Sequence, residues 1–284
     1  MIPSAFDYVA PETLDDAVRA LADAGDDAKI IAGGQSLTPV LRLRMNDPSV
    51  VIDLGRIPAL RGVRDDGDAL VIGAMTTHHD ILHEPLVREH ALLIAEATAT
   101  IADPQIRHRG TFGGSLAHAD PAGDLLASAL ALGAEMTIAG PNGRRQVAAA
   151  EFFEDLFTTS LQPDEILVDI RVPKHSGWTA HYEKFNRTAQ AWSIVAVAAA
   201  VRVDGGAIAE ARVALTNMAS VPVRARGVEE ALVGRAADAA TIRDAAERAA
   251  EGTSPAVDGN ADADFRSHLA RVLTSRAVTA AAGV

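Results

Sequence analysis

The chain contains no cysteine. That absence excludes a structural disulfide, a cysteine zinc site, a cysteine-ligated iron–sulfur cluster and a thiolate nucleophile. Basic residues are outnumbered, 26 Lys and Arg against 38 Asp and Glu, for a formal net charge of −12. No positive stripe interrupts this balance, so no nucleic-acid partner is expected and the acidity reads as solvated surface. Long apolar runs are also missing. The longest, near Ile194 to Val201, is too short to span a bilayer. The opening Met1-Ile2-Pro3-Ser4-Ala5-Phe6-Asp7 lacks the basic and apolar regions of a signal peptide, which makes the cytoplasm the expected location. Neither G-x-G-x-x-G nor a P-loop occurs, so a Rossmann fingerprint and a Walker site are unsupported.

What is present suits a globular protein. The 284 residues are 48% hydrophobic and 23% charged, enough to bury a sizeable core in one large domain or two to three small ones. Thr13 caps a helix whose apolar stripe is Leu14, Ala17, Val18 and Leu21, and Gly25 closes it. Strands at Lys29–Ala32 and Val50–Leu54 enclose a short helix over 37–45, an alternation that predicts a small, mostly parallel sheet. A second unit holds a strand at Ala69–Gly73 and helical residues from Asp80 to about Ile101, broken near Pro85. A further helix runs to about Leu132, a hairpin turns at Pro141-Asn142-Gly143, and Glu165–Val172 alternates as a strand. After Lys174-His175-Ser176-Gly177, strands are expected at Trp178–Lys184, Trp192–Val203 and Ala207–Thr216. Helices are expected near 222–232, 238–250 and 262–281. Strands first and helices after predict α+β for this last unit.

The most informative features are two Gly-Gly turns, Gly33-Gly34-Gln35-Ser36 and Gly110-Thr111-Phe112-Gly113-Gly114-Ser115. Glycine permits positive φ and close backbone approach, and successive N–H groups can form an anion-binding concavity. Ser36 and Ser115 can each add a hydroxyl. Two such turns facing one another suit a pyrophosphate. Composition and spacing equally allow two ordinary tight turns.

Resemblance separates these readings. Lys29-Ile30-Ile31-Ala32-Gly33-Gly34-Gln35-Ser36-Leu37 resembles the first flavin loop of the middle subunits of molybdenum hydroxylases, the group that includes aerobic carbon monoxide dehydrogenase. Ile101 to Ser115 resembles the second loop, and Ala119-Asp120-Pro121-Ala122-Gly123-Asp124 continues it. The similarity runs from Ile2-Pro3 through Gly73–Thr77 to Leu215-Thr216-Asn217. It implies an α+β protein of the vanillyl-alcohol-oxidase (PCMH-type) flavin fold. Two α/β subdomains, 1–54 and 55–176, would clasp FAD. A C-terminal α+β domain, 177–284, would carry a three-stranded antiparallel sheet with helices.

The resemblance also implies roles. Ala32 to Ser36 and Thr111, Gly113, Gly114 and Ser115 would contact the FAD pyrophosphate, with Lys29, Leu37 and Ile101 flanking them. Asp124 matches an acidic residue near the ribityl and adenosine end, and Leu167 a contact near the flavin ring. Lys184 matches a lysine approaching the isoalloxazine, and Trp192 a position where relatives place a tyrosine over the flavin. Ser115 stands where carbon monoxide dehydrogenases have asparagine, and Phe112 where isoleucine is common. These departures leave the oxidised substrate open among carbon monoxide, aldehydes, N-heterocycles and purines.

The implied activity is electron transfer. A large partner would hold the molybdenum cofactor and a small partner two [2Fe–2S] clusters, in a dimer of heterotrimers that reduces an external acceptor such as a quinone. Such a complex could sit peripherally on the inner membrane face. Rival readings are a stand-alone flavin oxidoreductase of the same fold and a scaffold with vestigial loops. FAD should be non-covalent, since no cysteine offers a thioether link. His78, His79 and His83 read as surface or loop histidines rather than metal ligands, and His118 and Asp120 as structural hydrogen-bonding residues. No catalytic acid–base residue is expected.

Overall fold

The computed structural model describes residues 2–284; Met1, where the segment read for a leader begins, lies outside them. Strand β1 (Asp7–Val9) is exposed at all three positions, so no apolar alternation announces it in the sequence. Thr13 then accepts from the Asp16 N–H and starts helix α1 (Leu14–Ala24), favoured by Asp15 and Asp16 in its first turn. Ala17, Val18 and Leu21 are its buried stripe, and Gly25 follows at φ 64°. Next come β2 (Ala28–Ile31), α2 (Leu37–Arg42) and β3 (Val50–Asp53). β3 lies between β1 and β2 and pairs in parallel with both, as the alternation predicts.

The second sheet begins with β4 (Val63–Asp65) and β5 (Ala69–Gly73). The helical stretch expected from Asp80 starts at His78 and is three helices: α3 (His78–His83), α4 (Pro85–His90) and α5 (Leu92–Ala99). Pro85 makes the first break and sits in the first turn of α4, where its missing N–H is not needed. The second break, at Ala91 with φ −142°, has no compositional mark. Helices α6 (Pro104–Arg107), α7 (Phe112–His118) and α8 (Asp124–Ala131) lead to β6 (Glu135–Gly140) and β7 (Gly143–Ala148), which pair across Pro141-Asn142. Helix α9 (Ala149–Phe152) and a small hairpin of β8 (Phe153–Asp155) and β9 (Thr158–Thr159) precede β10 (Ile166–Pro173). β10 inserts between β5 and β6, and the whole sheet β4-β5-β10-β6-β7 is antiparallel. Its residues Leu70, Ile72, Ile138 and Ile170 share one core with Leu93, Ile94, Leu125 and Leu126 of α5 and α8.

The last unit has four strands, not three: β11 (Thr179–Phe185), β12 (Val195–Asp204), β13 (Ala207–Thr216) and β14 (Val223–Arg224). β14 is two residues long and follows Pro222, too short to show a period in sequence. Helices α10 (Arg226–Leu232), α11 (Ala239–Ala246) and α12 (Ala263–Ala282) follow the strands, as expected of α+β. β12 is buried on both faces. Val195, Val197 and Val201, with Val213 and Leu215, pack on the helices that follow. Ala196, Ala198, Ala200 and Ala214 face the other way, into the core of α5 and α8. Methyl groups on that face let the sheet lie close to both helices.

Ala198→Leu should therefore overpack that seam, since Ala198 is fully buried. A loss of about 1–3 kcal/mol is expected. It would be read as a lower urea midpoint with unchanged slope; an unchanged midpoint would show that the seam is loose.

Candidate functional site

The first glycine loop connects β2 to α2. Gly34 adopts φ +76°, where a Cβ would be strained and would stand 3.0 Å from Thr38 Oγ1. Gly33 is required for a different reason. Its Cα lies against the Arg109 carbonyl and Gly110, and a Cβ there would overlap the Arg109 oxygen. Gln35 Nε2 donates to the Gly33 carbonyl at 3.0 Å and braces the loop. Among the described residues, no protein acceptor receives the backbone N–H of Gly33, Gly34, Gln35 or Ser36. Four consecutive free donors in a half-buried loop offer an anion a ready concavity.

The second glycine segment is not a free turn. Gly113 and Gly114 lie in the first turn of α7, capped by Thr111, and neither has positive φ. Their N–H groups are already satisfied. Phe112 donates to Thr76 O (3.0 Å), Gly113 to Ala74 O (2.9 Å) and Gly114 to Thr111 Oγ1 (3.1 Å). The glycines here serve close approach. A Cβ on Gly113 would overlap Ala74, and one on Gly114 would meet Thr111 Oγ1 and come within 3.3 Å of the Ala32 Cβ. The two segments touch: Gly33 rests on Arg109 and Gly110, and Gly114 lies opposite Ala32. The two segments face one another, with free backbone N–H donors on the first segment only.

Asp124 starts α8 and is buried beside the C-terminal sheet. Lys184 Nζ donates to its Oδ2 at 2.7 Å, and Ser193 Oγ (2.7 Å) and Tyr182 OH (2.9 Å) both donate to Oδ1. Lys184 Nζ also donates to the Thr100 carbonyl at 3.3 Å, next to Ile101. Burial pushes the Asp124 carboxyl up, while Lys184, Ser193 and Tyr182 pull it back down. Burial and the neighbouring Asp124 charge push the Tyr182 phenol well above its usual value. The cluster therefore holds a solvent-shielded ion pair. Asp124 and Lys184, assigned to different parts of the flavin by resemblance, are in direct contact. Tyr182, Ser193 and the nearby Thr216 (3.1 Å from Tyr182 OH) were missed in the sequence. The one available signal was that Tyr182 and Lys184 share a strand face at period two.

The remaining expected site residues scatter. Lys29 is exposed on the edge strand β2, and Ser36 and Leu37 are half-buried at the start of α2. Ile101 packs at the margin of the main core. Leu167 is 5% exposed, inside the main core at a bulge in β10. Trp192 lies in the loop before β12 and is 57% exposed; it is neither a strand residue nor a core residue. His78 is a correction. It is buried rather than superficial, because Gly110 leaves room for its ring. His79 stacks on His108, and the Asp120 carboxylate accepts from the Ala122 N–H.

Residues 4–175 match the family model described as the FAD-binding domain in molybdopterin dehydrogenase, and residues 180–281 match the carbon monoxide dehydrogenase flavoprotein C-terminal domain. Fold and site thus define a flavoprotein domain of the molybdopterin dehydrogenases. The chain is 41% identical to the carbon monoxide dehydrogenase medium chain of Hydrogenophaga pseudoflava, across 99% of this chain and 98% of that one. It is 36% identical to subunit alpha of the 6-hydroxypseudooxynicotine dehydrogenase complex of Paenarthrobacter nicotinovorans, across 99% and 96%. The structure of Hydrogenophaga pseudoflava carbon monoxide dehydrogenase lacking the Mo-pyranopterin moiety superposes with a TM-score of 0.96 at 42% identity, across 99% and 98%. The chain belongs to the family of FAD-binding medium subunits of molybdenum hydroxylases, which are oxidoreductase subunits.

Two outcomes follow from this geometry. Gly33→Ala should drive the segments apart at the Arg109 carbonyl and lower the flavin bound per chain severalfold, with circular dichroism unchanged; full flavin content would mean that the contact is dispensable. Lys184→Met should leave a buried carboxylate without its cation and cost about 3–5 kcal/mol. Adding Asp124→Asn should recover part of that loss in chemical denaturation. Additive losses would show that the pair is not coupled.

Proposed function

We propose that this chain is the FAD-carrying electron-transfer subunit of a three-subunit molybdenum hydroxylase resembling carbon monoxide dehydrogenase. A small partner subunit with two [2Fe–2S] clusters delivers electrons, and an external acceptor such as a quinone removes them. The molybdenum cofactor and the substrate belong to a large partner. The observation that carries this reading is the four free N–H groups of residues 33–36 set against the second glycine segment. The chain around them matches its relatives from end to end.

The residues present fit a flavin dinucleotide. The free N–H groups suit a pyrophosphate, and Asp124 suits neighbouring hydroxyls as an acceptor. Lys184, held 2.7 Å from Asp124, contributes as half of a buried ion pair whose orientation sets the local field, not as a free positive charge. Trp192, exposed on its loop, offers an indole to cover a ring; Lys29, Ile101 and Leu167 are assigned to the border of the site by resemblance alone. When bound, FAD supplies the one- and two-electron chemistry that joins clusters to acceptor. The protein's task is to hold the cofactor, shield one end from water and set its electrostatics. Relatives of similar identity are named for carbon monoxide and for 6-hydroxypseudooxynicotine, so substrate choice falls to the large partner. No helix among the described residues is long and apolar enough to cross a membrane. The assembly proposed is a cytoplasmic dimer of heterotrimers.

Produced with its two partner chains, the protein should co-purify with iron, molybdenum and FAD, and acid should release the flavin into the supernatant. In that complex, Trp192→Ala should alter flavin reoxidation severalfold and leave the rate of molybdenum reduction by substrate unchanged. Purification alone and colourless, or a slowed molybdenum step with normal flavin kinetics, would sink the assignment.

A further inference from the structure

We propose that His78 is a positioning residue that turns the Ser115 hydroxyl into a hydrogen-bond donor toward the phosphate groups of the dinucleotide. This rests on the reading of the chain as an FAD carrier. His78 opens α3 and is 3% exposed. Its backbone N–H donates to the Gly110 carbonyl at 2.9 Å. Its ring lies on Gly110, where a Cβ would stand 2.7 Å from Cδ2 and 2.9 Å from Nε2. Nε2 is 3.3 Å from Ser115 Oγ, and Nδ1 is buried with no partner.

Burial first, and then the Arg107 charge, push the His78 pKa down to about 4. The ring is therefore neutral near pH 7 and carries a single N–H. A proton on Nδ1 would be a buried donor without an acceptor, which is rarer in folded proteins than an acceptor without a donor. The favoured tautomer places the proton on Nε2, which donates to Ser115 Oγ. The Ser115 oxygen is then engaged as an acceptor, and its own proton must point elsewhere. Among the described residues no protein group takes it. Ser115 follows Gly114, which lies opposite Ala32 at the start of the free-donor loop. A phosphate oxygen held by that loop is the acceptor this chemistry calls for. The other tautomer would turn serine lone pairs toward the phosphate, which is repulsive.

The test uses the full-length chain, stripped of flavin and titrated with FAD by fluorescence. Ser115→Ala and His78→Phe should each weaken binding about tenfold, the size of one hydrogen bond to a charged group. The double variant should lose little more than either alone. His78→Gln, whose side-chain amide can restore a donor near the Nε2 position, should stay within about threefold of wild type. Nitrogen NMR of wild-type histidine should find Nε2 protonated at pH 7, and this reading holds even if His78→Phe fails to fold. A protonated Nδ1, additive losses, or wild-type affinity in His78→Phe beside weakened Ser115→Ala would overturn the proposal alone. A wild-type chain with no affinity for FAD would overturn the flavin reading and this proposal with it.

Discussion

A carboxylate buried at the seam between α8 and the C-terminal sheet organises this molecule. Asp124 would be costly to bury alone, yet it collects an ammonium and two hydroxyls within 2.9 Å. Those partners come from β11 and from the loop before β12, while Asp124 belongs to the preceding unit. The seam is otherwise lined by alanine methyls, which specify little about register. An ion pair with fixed hydrogen-bond directions adds that specificity even where its net contribution to stability is small. Asn217 reinforces the seam: its N–H donates to the Pro121 carbonyl and its amide to the Ser193 carbonyl.

The glycine segments depend on the same seating. Phe112 and Gly113 anchor the start of α7 to Thr76 and Ala74 in the turn that follows β5, and α7 leads into α8 through Asp120 and Pro121. Once α8 is held, the second segment has one position, and Gly33 can rest against the Arg109 carbonyl. The parallel sheet brings the first segment to that contact. One segment contributes free N–H groups and the other contributes shape, a division of labour that a pair of similar motifs conceals.

Much of the fold was readable from neighbours in sequence. The Thr13 cap, the Pro141-Asn142 hairpin and the three long C-terminal strands rest on turn chemistry or a period of two or 3.6 residues. The missed strands were too short or too exposed for any period: β1, β4, the hairpin β8 and β9, and β14. The second glycine segment was misjudged for a related reason. Glycine pairs signal a backbone need, and the sequence does not say whether that need is positive φ or close approach.

By itself the sequence determined the local elements, the absence of thiol chemistry and the positions where backbone must lie bare, because each depends on residues a few places apart. Resemblance added the flavin and the family. Only the tertiary structure decided that Asp124 meets Tyr182, Lys184 and Ser193, which lie 58, 60 and 69 residues away. It alone decided that His78 is buried against Ser115, 37 residues on, and that Trp192 stands in solvent. Those outcomes follow from how β10 and the alanine face of β12 bring distant segments together. Packing at long sequence separation leaves no periodic trace in the chain.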